Sequence, residues 1–249
     1  MIVSQNHNIK HDEFKGKVVL VTGANRGFGL AITMDLARAG ATVIMLGRDL
    51  GSLEYAYDAV VDAGLKEPIL YPLDLEGATP ENYQELQDNL LNQFGKLDGL
   101  VHNASILGTQ MPIEQYDIKL WYSTIQINLN APFMLTQFLI PALLKSDDAR
   151  IIFLSSSVGR KARAYWGAYS VSKFGIEGFA KTLSEELEKT QISVNTVNPG
   201  KLRTEMRRTA YPAEDSSTVP LPEDKSQAIV HLLSSSSPKI NGEQLTIPD

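Results

Sequence analysis

Seven short apolar runs alternate with helical patterns along this chain, and few folds accommodate that rhythm. The first, residues 17–21, reads Lys-Val-Val-Leu-Val, the pattern of a strand covered on both faces. Comparable runs occupy 41–46, 68–73, 97–101, 150–154, 192–197 and 244–247. Between them lie helical patterns at about 30–39, 52–63, 80–94, 117–144 and 167–188, the fourth interrupted by Pro132. Strands that alternate with helices join through right-handed crossovers. The expected architecture is therefore α/β, a doubly wound parallel sheet of about seven strands with helices on both faces. No repeat or linker divides the 249 residues, so a single domain over 1–249 is expected, with the polar residues 1–13 as a flexible tail.

The first run ends in Thr22-Gly23-Ala24-Asn25-Arg26-Gly27-Phe28-Gly29, directly ahead of a helix. Strand, glycine turn and helix N-terminus together suit a phosphate: free backbone N–H groups converge there, and a Cβ would hold a pyrophosphate off. The spacing is G-x-x-x-G-x-G rather than G-x-G-x-x-G, and a tight strand-to-helix turn without a ligand is the plainer alternative. Farther along, Tyr169 and Lys173 stand four residues apart and share one face of the helix at 167–188. An ammonium beside a phenol, whose reference pKa is about 10, favours the phenolate and lets such a pair exchange a proton near neutral pH. Ordinary half-exposed helix faces carry the same spacing too.

Composition excludes several chemistries. The chain has no cysteine, which removes disulfides, thiolate metal sites and thiol nucleophiles, and its four histidines are scattered, so no metal is expected. With a net charge of −6 and no basic block, neither nucleic acid nor an anionic membrane is expected as a partner. The N-terminus lacks an apolar leader core and no run reaches the length of a membrane span, so the expectation is a cytoplasmic protein.

Thr22-Gly23-x-x-x-Gly27-x-Gly29, Asp74-Leu75, Asn103-Ala104, Asn128, Ser156, Tyr169-x-x-x-Lys173 and Pro199-Gly200-x-x-x-Thr204 occur in the order and spacing of the short-chain dehydrogenases/reductases. The chain resembles that family from about residue 14 to 247, and its runs at 107–116, 131–147 and 155–174 look like those of the bacterial YciK-type branch. The resemblance implies a Rossmann-type fold and hydride transfer between NADP(H) and a small-molecule carbonyl or alcohol. It makes Tyr169 the general acid/base, Lys173 the group that lowers the tyrosine's pKa and holds the nicotinamide ribose, and Ser156 the donor to the substrate oxygen. Ser157, one residue on, stays open as an alternative. Asn128 is the fourth catalytic position; Pro132, four residues later, has no N–H to give its carbonyl. In the family that carbonyl binds a water of a proton relay, while a plain proline kink is the other reading.

On the cofactor side the resemblance implies Gly23, Asn25, Arg26, Gly27, Phe28 and Gly29 around the phosphates. Asp74 and Leu75 fall at the adenine, Asn103 and Ala104 at the adenosine, and Pro199, Gly200, Leu202 and Thr204 beside the nicotinamide carboxamide, with Tyr169 and Lys173 at its ribose. NAD-specific members carry an acid after the second strand; here Gly47 stands there, followed by Arg48. Arg26 and Arg48 suit a 2′-phosphate, so NADP(H) is expected over NAD(H). Ser105 departs from the glycine usual after Asn-Ala. Ile106, Leu107, Val158, Tyr165, Trp166 and Met206 would form a largely apolar pocket. Arg160, Arg163, Arg207 and Arg208 either meet an anionic group or lie on the surface. Residues 201–222, with Pro212, Pro220 and Pro222, have the make-up of a substrate lid. The helices carrying Asn128 and Tyr169 are apolar on more than one face, and family members pair them across a two-fold axis, so a homodimer or homotetramer is expected. A regulatory or scaffold protein of the same fold is the alternative function, although such proteins normally have a broken Tyr–Lys pair.

Overall fold

The computed structural model describes residues 1–4 and 9–249. Its sheet is assembled from β1 (Val18–Thr22), β2 (Thr42–Gly47), β3 (Ile69–Pro72), β4 (Gly99–His102), β5 (Ala149–Leu154), β6 (Ile192–Asn198) and β7 (Gln244–Thr246). All pairings are parallel and the order is β3-β2-β1-β4-β5-β6-β7. Consecutive side chains of a strand point to opposite faces, and in β1 both sets are apolar. Val19 and Val21 pack under α1 (Gly27–Arg38), α2 (Leu50–Asp62) and α8 (Glu223–Leu233). Val18 and Leu20 pack under α3 (Pro80–Phe94), α5 (Ala131–Leu143) and α6 (Gly167–Glu186). Two covered faces are why the strands read as unbroken apolar runs.

Local chemistry sets the helix ends. Asp49 caps α2 by accepting the Ser52 N–H at 2.7 Å. Thr79 and Asn82 form a reciprocal capping box at α3, Pro80 opens it, and Gly95 closes it at φ 72°. The expected helix at 117–144 is divided into α4 (Ile118–Ile125), a π-helical turn (Gln126–Asn130) and α5. Pro132 supplies the reason. With no N–H at that position the ladder is rephased one turn earlier, and the Ala131 N–H reaches back five residues to Gln126. Residues 201–222 contain a short α7 (Glu205–Ala210), started by Thr204.

The N-terminus departs from the expected flexible tail. Ile2 bridges Thr246, the Val3 N–H donates to the Thr246 carbonyl at 2.9 Å, and the Thr246 N–H donates to the Met1 carbonyl at 2.9 Å. The open edge of β7 has unmatched backbone groups, and Met1–Val3 satisfies them. Phe14 is buried, with its N–H on the Ala39 carbonyl. The part of the expected tail at 5–8 lies outside the described residues.

Candidate active site

A parallel sheet brings all its carboxyl ends to one rim, and the chain reverses its winding between β1 and β4. The crevice at such a switch point is where this architecture takes ligands. At the end of β1, Gly23 and Gly27 sit at φ 62° and 55°, accessible to glycine at little cost. A Cβ on Gly29 would stand 2.2 Å from the Gly23 carbonyl oxygen, so only glycine lets α1 lie this close to the turn. Thr22 links the turn to the neighbouring one: its hydroxyl accepts the N–H groups of Asn103 at 3.0 Å and Ala104 at 2.9 Å. The Asn103 amide returns hydrogen bonds to the carbonyls of Thr22 and Gly23 at 2.8 and 3.1 Å.

Helix α1 starts without a side-chain cap and without an acid in its first turn. Its leading N–H groups and the positive end of its dipole are therefore available to an anion. Ser105 and Ser155, at the ends of β4 and β5, each bury a hydroxyl that has no protein partner. These features fit a phosphate-bearing dinucleotide lying across the rim. Phe28 and Leu202 turn their side chains into the core, so only their backbone can face such a ligand.

At the β2 end Gly47 is buried, and a Cβ there would meet Leu53 at 3.1 Å. Arg48 is exposed beside it, whereas the Asp49 carboxylate is committed to Ser52 at the start of α2. Those bonds to Ser52 hold the Asp49 carboxyl below its usual range. Arg26 is exposed and pairs with Glu205 of α7 at 2.6 Å. Asp74 is exposed, with Oδ1 on the Glu76 N–H at 3.1 Å, and Leu75 next to it is buried.

At the β5 end Ser156, Tyr169 and Lys173 converge. Burial pushes the Tyr169 phenol up to about 12, and a hydrogen bond with the Ser156 side chain pulls it partly back. Ser157 is exposed on the following turn, so the structure puts Ser156, not its neighbour, against the phenol. Lys173 is buried; its Nζ donates to the Leu154 carbonyl at 2.8 Å and lies 5.6 Å from the centre of the Tyr169 ring. Burial brings its pKa down to about 8, against an opposing pull from Glu177. Gly159 allows this closeness, because a Cβ there would come within 2.8 Å of the Lys173 Cβ. The Asn128 amide is fully engaged: Oδ1 accepts from the Ile106 N–H, and Nδ2 donates to the Ile106 carbonyl and to Ser172 Oγ. It pins the loop after β4 to α6.

Around Tyr169 the walls are aromatic. Trp166 lies 5.8 Å from it, and Tyr211, just beyond α7, lies 5.9 Å from Trp166. Tyr211 was not foreseen from the sequence, where nothing marks it. Leu107, Val158 and Met206 join this cluster as expected, while Tyr165 is exposed in the left-handed region at φ 71°. The arginines have separate fates. Arg160 is built into a network with Glu177, Thr196, Thr246 and the Leu245 carbonyl. Arg207 makes paired bonds of 2.7 Å to Glu214, and Arg163 donates to the Tyr211 hydroxyl. Arg208 is exposed near Glu205.

This fold and this cleft are those of a dinucleotide-binding oxidoreductase, and the chain belongs to the short chain dehydrogenase family, whose model matches residues 17–215. It is 42% identical over 215 residues to the uncharacterized oxidoreductase YciK of Escherichia coli K12, covering 86% of this chain and 85% of that one. It is 33% identical over 195 residues to the 3-oxoacyl-[acyl-carrier-protein] reductase FabG of Salmonella typhimurium, covering 78% and 77%. Among solved structures, a short chain dehydrogenase crystal structure from Shigella flexneri 2a, complexed with NADP, superposes with a TM-score of 0.92 at 40% identity, over 95% of this chain and 99% of that one. Among the described residues no cluster of His, Cys, Asp or Glu is placed to hold a metal ion, and no helix is long and apolar enough to cross a membrane.

Proposed function

We propose that the protein is an NADP(H)-dependent carbonyl reductase or alcohol dehydrogenase with Tyr169 as its general acid/base. The convergence of Ser156, Tyr169 and Lys173 beside an uncapped glycine turn carries this reading. The nicotinamide supplies or accepts the hydride. Tyr169 Oη gives the substrate oxygen its proton in reduction and removes it in oxidation. The Ser156 hydroxyl donates to that oxygen and orients it, and the Lys173 ammonium would hold the ribose hydroxyls; burial raises the phenol to about 12, where the sequence leads one to expect Lys173 to lower it. Asn128 keeps the loop at Ile106 and helix α6 in register. The Trp166–Tyr211 wall favours an apolar carbonyl compound and limits water around the proton transfer. A panel of carbonyl substrates and alcohols, followed by NADPH fluorescence, tests the activity; no turnover across the panel would sink it.

Cofactor choice follows from charge. Gly47 presents no carboxylate to a 2′-phosphate, Asp49 is occupied at its cap, and Arg26 and Arg48 are both exposed. Arg26 must exchange Glu205 for the phosphate, a small cost at an exposed ion pair. NADPH should bind more tightly than NADH by about 2–4 kcal/mol, two overlapping charge-assisted contacts of about 1.5–3 kcal/mol each. Arg26→Ala combined with Arg48→Ala should remove most of the difference in calorimetric titration. Equal affinities in the unmutated protein would refute the assignment. The NADP complex of the Shigella structure supports the same choice.

The chain also presents Tyr122, Phe133, Val171 and Phe174 as large exposed apolar residues on α4, α5 and α6. Such faces favour burial against a second copy. A homodimer or homotetramer is the expected state. Phe133→Glu with Phe174→Glu should shift light scattering to the monomer mass at micromolar concentration; an unmutated protein already monomeric there would overturn this.

A further inference from the structure

A buried ammonium lies beneath the turn assigned to the nicotinamide side. Lys225, on the first turn of α8, has a fully buried side chain, which lysine adopts only when its N–H groups are matched. Its Nζ donates to the Pro199 carbonyl at 2.9 Å and to Asp249 Oδ1 at 3.3 Å. That same Oδ1 accepts the Lys201 N–H at 2.7 Å. Between them Gly200 sits at φ 70°, where a Cβ would fall 2.5 Å from Asp249 Oδ1 and 2.9 Å from Lys225 Nζ. Asn198 Oδ1 accepts the Gly200 N–H at 3.1 Å.

One backbone polar group from each of three consecutive residues, the Pro199 carbonyl and the Gly200 and Lys201 N–H groups, is thus committed to the protein side of the turn. Just past it, Thr204 Cγ2 lies 3.6 Å from where a Gly27 Cβ would stand, so the segment reaches the glycine turn. We infer that Lys225 and Asp249 are positioning residues for the nicotinamide half of the dinucleotide, holding the turn at 199–201 so that 202–204 face the cleft. This rests on the proposed dinucleotide site. Neither residue belongs to the reacting groups, and both lie apart in sequence from every motif of the site. Loss of the brace should loosen the nicotinamide end alone, because the adenosine end depends on residues that follow β1, β2, β3 and β4, whereas the braced turn follows β6.

Lys225→Met keeps the stem and removes the ammonium; Asp249→Asn removes the charge at a half-exposed position. Each variant is titrated with NADPH and with adenosine 2′,5′-bisphosphate, the cofactor's adenosine half. Lys225→Met should weaken NADPH about tenfold, the worth of one charge-assisted bond, and leave the bisphosphate within about twofold. KM for NADPH should rise in step, and Asp249→Asn should move the same way by less. Equal losses for both ligands would show general damage and overturn the inference, as would unchanged NADPH affinity in both variants. Should Lys225→Met fail to fold, Asp249→Asn decides by the same two criteria. If the unmutated protein binds the bisphosphate as tightly as NADPH, the nicotinamide-side reading of 199–204 falls, and this inference with it.

Discussion

Exchanging Tyr169 for phenylalanine should cut kcat for carbonyl reduction by about 10²–10⁴-fold, the usual worth of a positioned general acid. NADPH affinity should stay within a few fold. The ring keeps its packing against Val158 and Trp166, and the lost hydroxyl gives up one hydrogen bond, to Ser156. The direction of reaction matters for pH. With the phenol pushed up to about 12, Tyr169 is protonated at pH 7, the form that reduction needs. Reduction is therefore insensitive to this group through neutral pH. Oxidation needs the phenolate, so its rate should rise with pH until Lys173, with its pKa of about 8, loses the charge that both turnover and cofactor binding require. Steady-state rates in both directions, with calorimetry for NADPH, measure all of this; wild-type turnover in the phenylalanine variant on any confirmed substrate would end the mechanism.

The parts of this site that could be read in sequence are those set by local backbone demands. Gly23, Gly27 and Gly29 answer to φ and to close approach, both fixed within a few residues. Strands β1 and β2 were legible because sheet faces covered on both sides leave no polar alternation. Other features depend on partners far away in the chain. Arg160 looked available for an anion, but its guanidinium is used by Glu177 and by residues of β6 and β7. The edge that captures Met1–Val3 belongs to β7, some 240 residues downstream. Lys225 and Asp249 matter through Pro199 and Lys201, a meeting no spacing rule encodes. Pro132 was visible as a break, yet its consequence was a rephased turn at Gln126–Asn130, because a single wide turn bypasses the missing donor without ending the helix.

Lys173 should show an opposition between stability and activity. Its folded pKa of about 8 lies below the usual lysine value of 10.5, chiefly through burial, with Glu177 pulling the other way. A lysine depressed in this way binds its proton less well when folded, so protonation favours the unfolded chain. Above about pH 10.5 neither state is charged and there is no penalty. As pH falls from 10.5 to 8 the unfolded chain takes up a proton first and stability declines; below 8 the deficit is constant. A shift of this size corresponds to about 3 kcal/mol. Lys173→Met would remove that deficit and leave the Leu154 carbonyl without its donor, which costs about 1–3 kcal/mol. Near pH 7 the variant should be at least as stable, by about 0–2 kcal/mol, or up to roughly 8 °C in Tm. The advantage should shrink as pH is raised through 8 and reverse near 10.5, where only the lost hydrogen bond remains. Turnover and NADPH binding should both collapse, since the ammonium serves both. Denaturant titrations of the two proteins between pH 7 and 10.5 decide the matter: a stability difference that does not change across that range would show that no buried charge is held at this position.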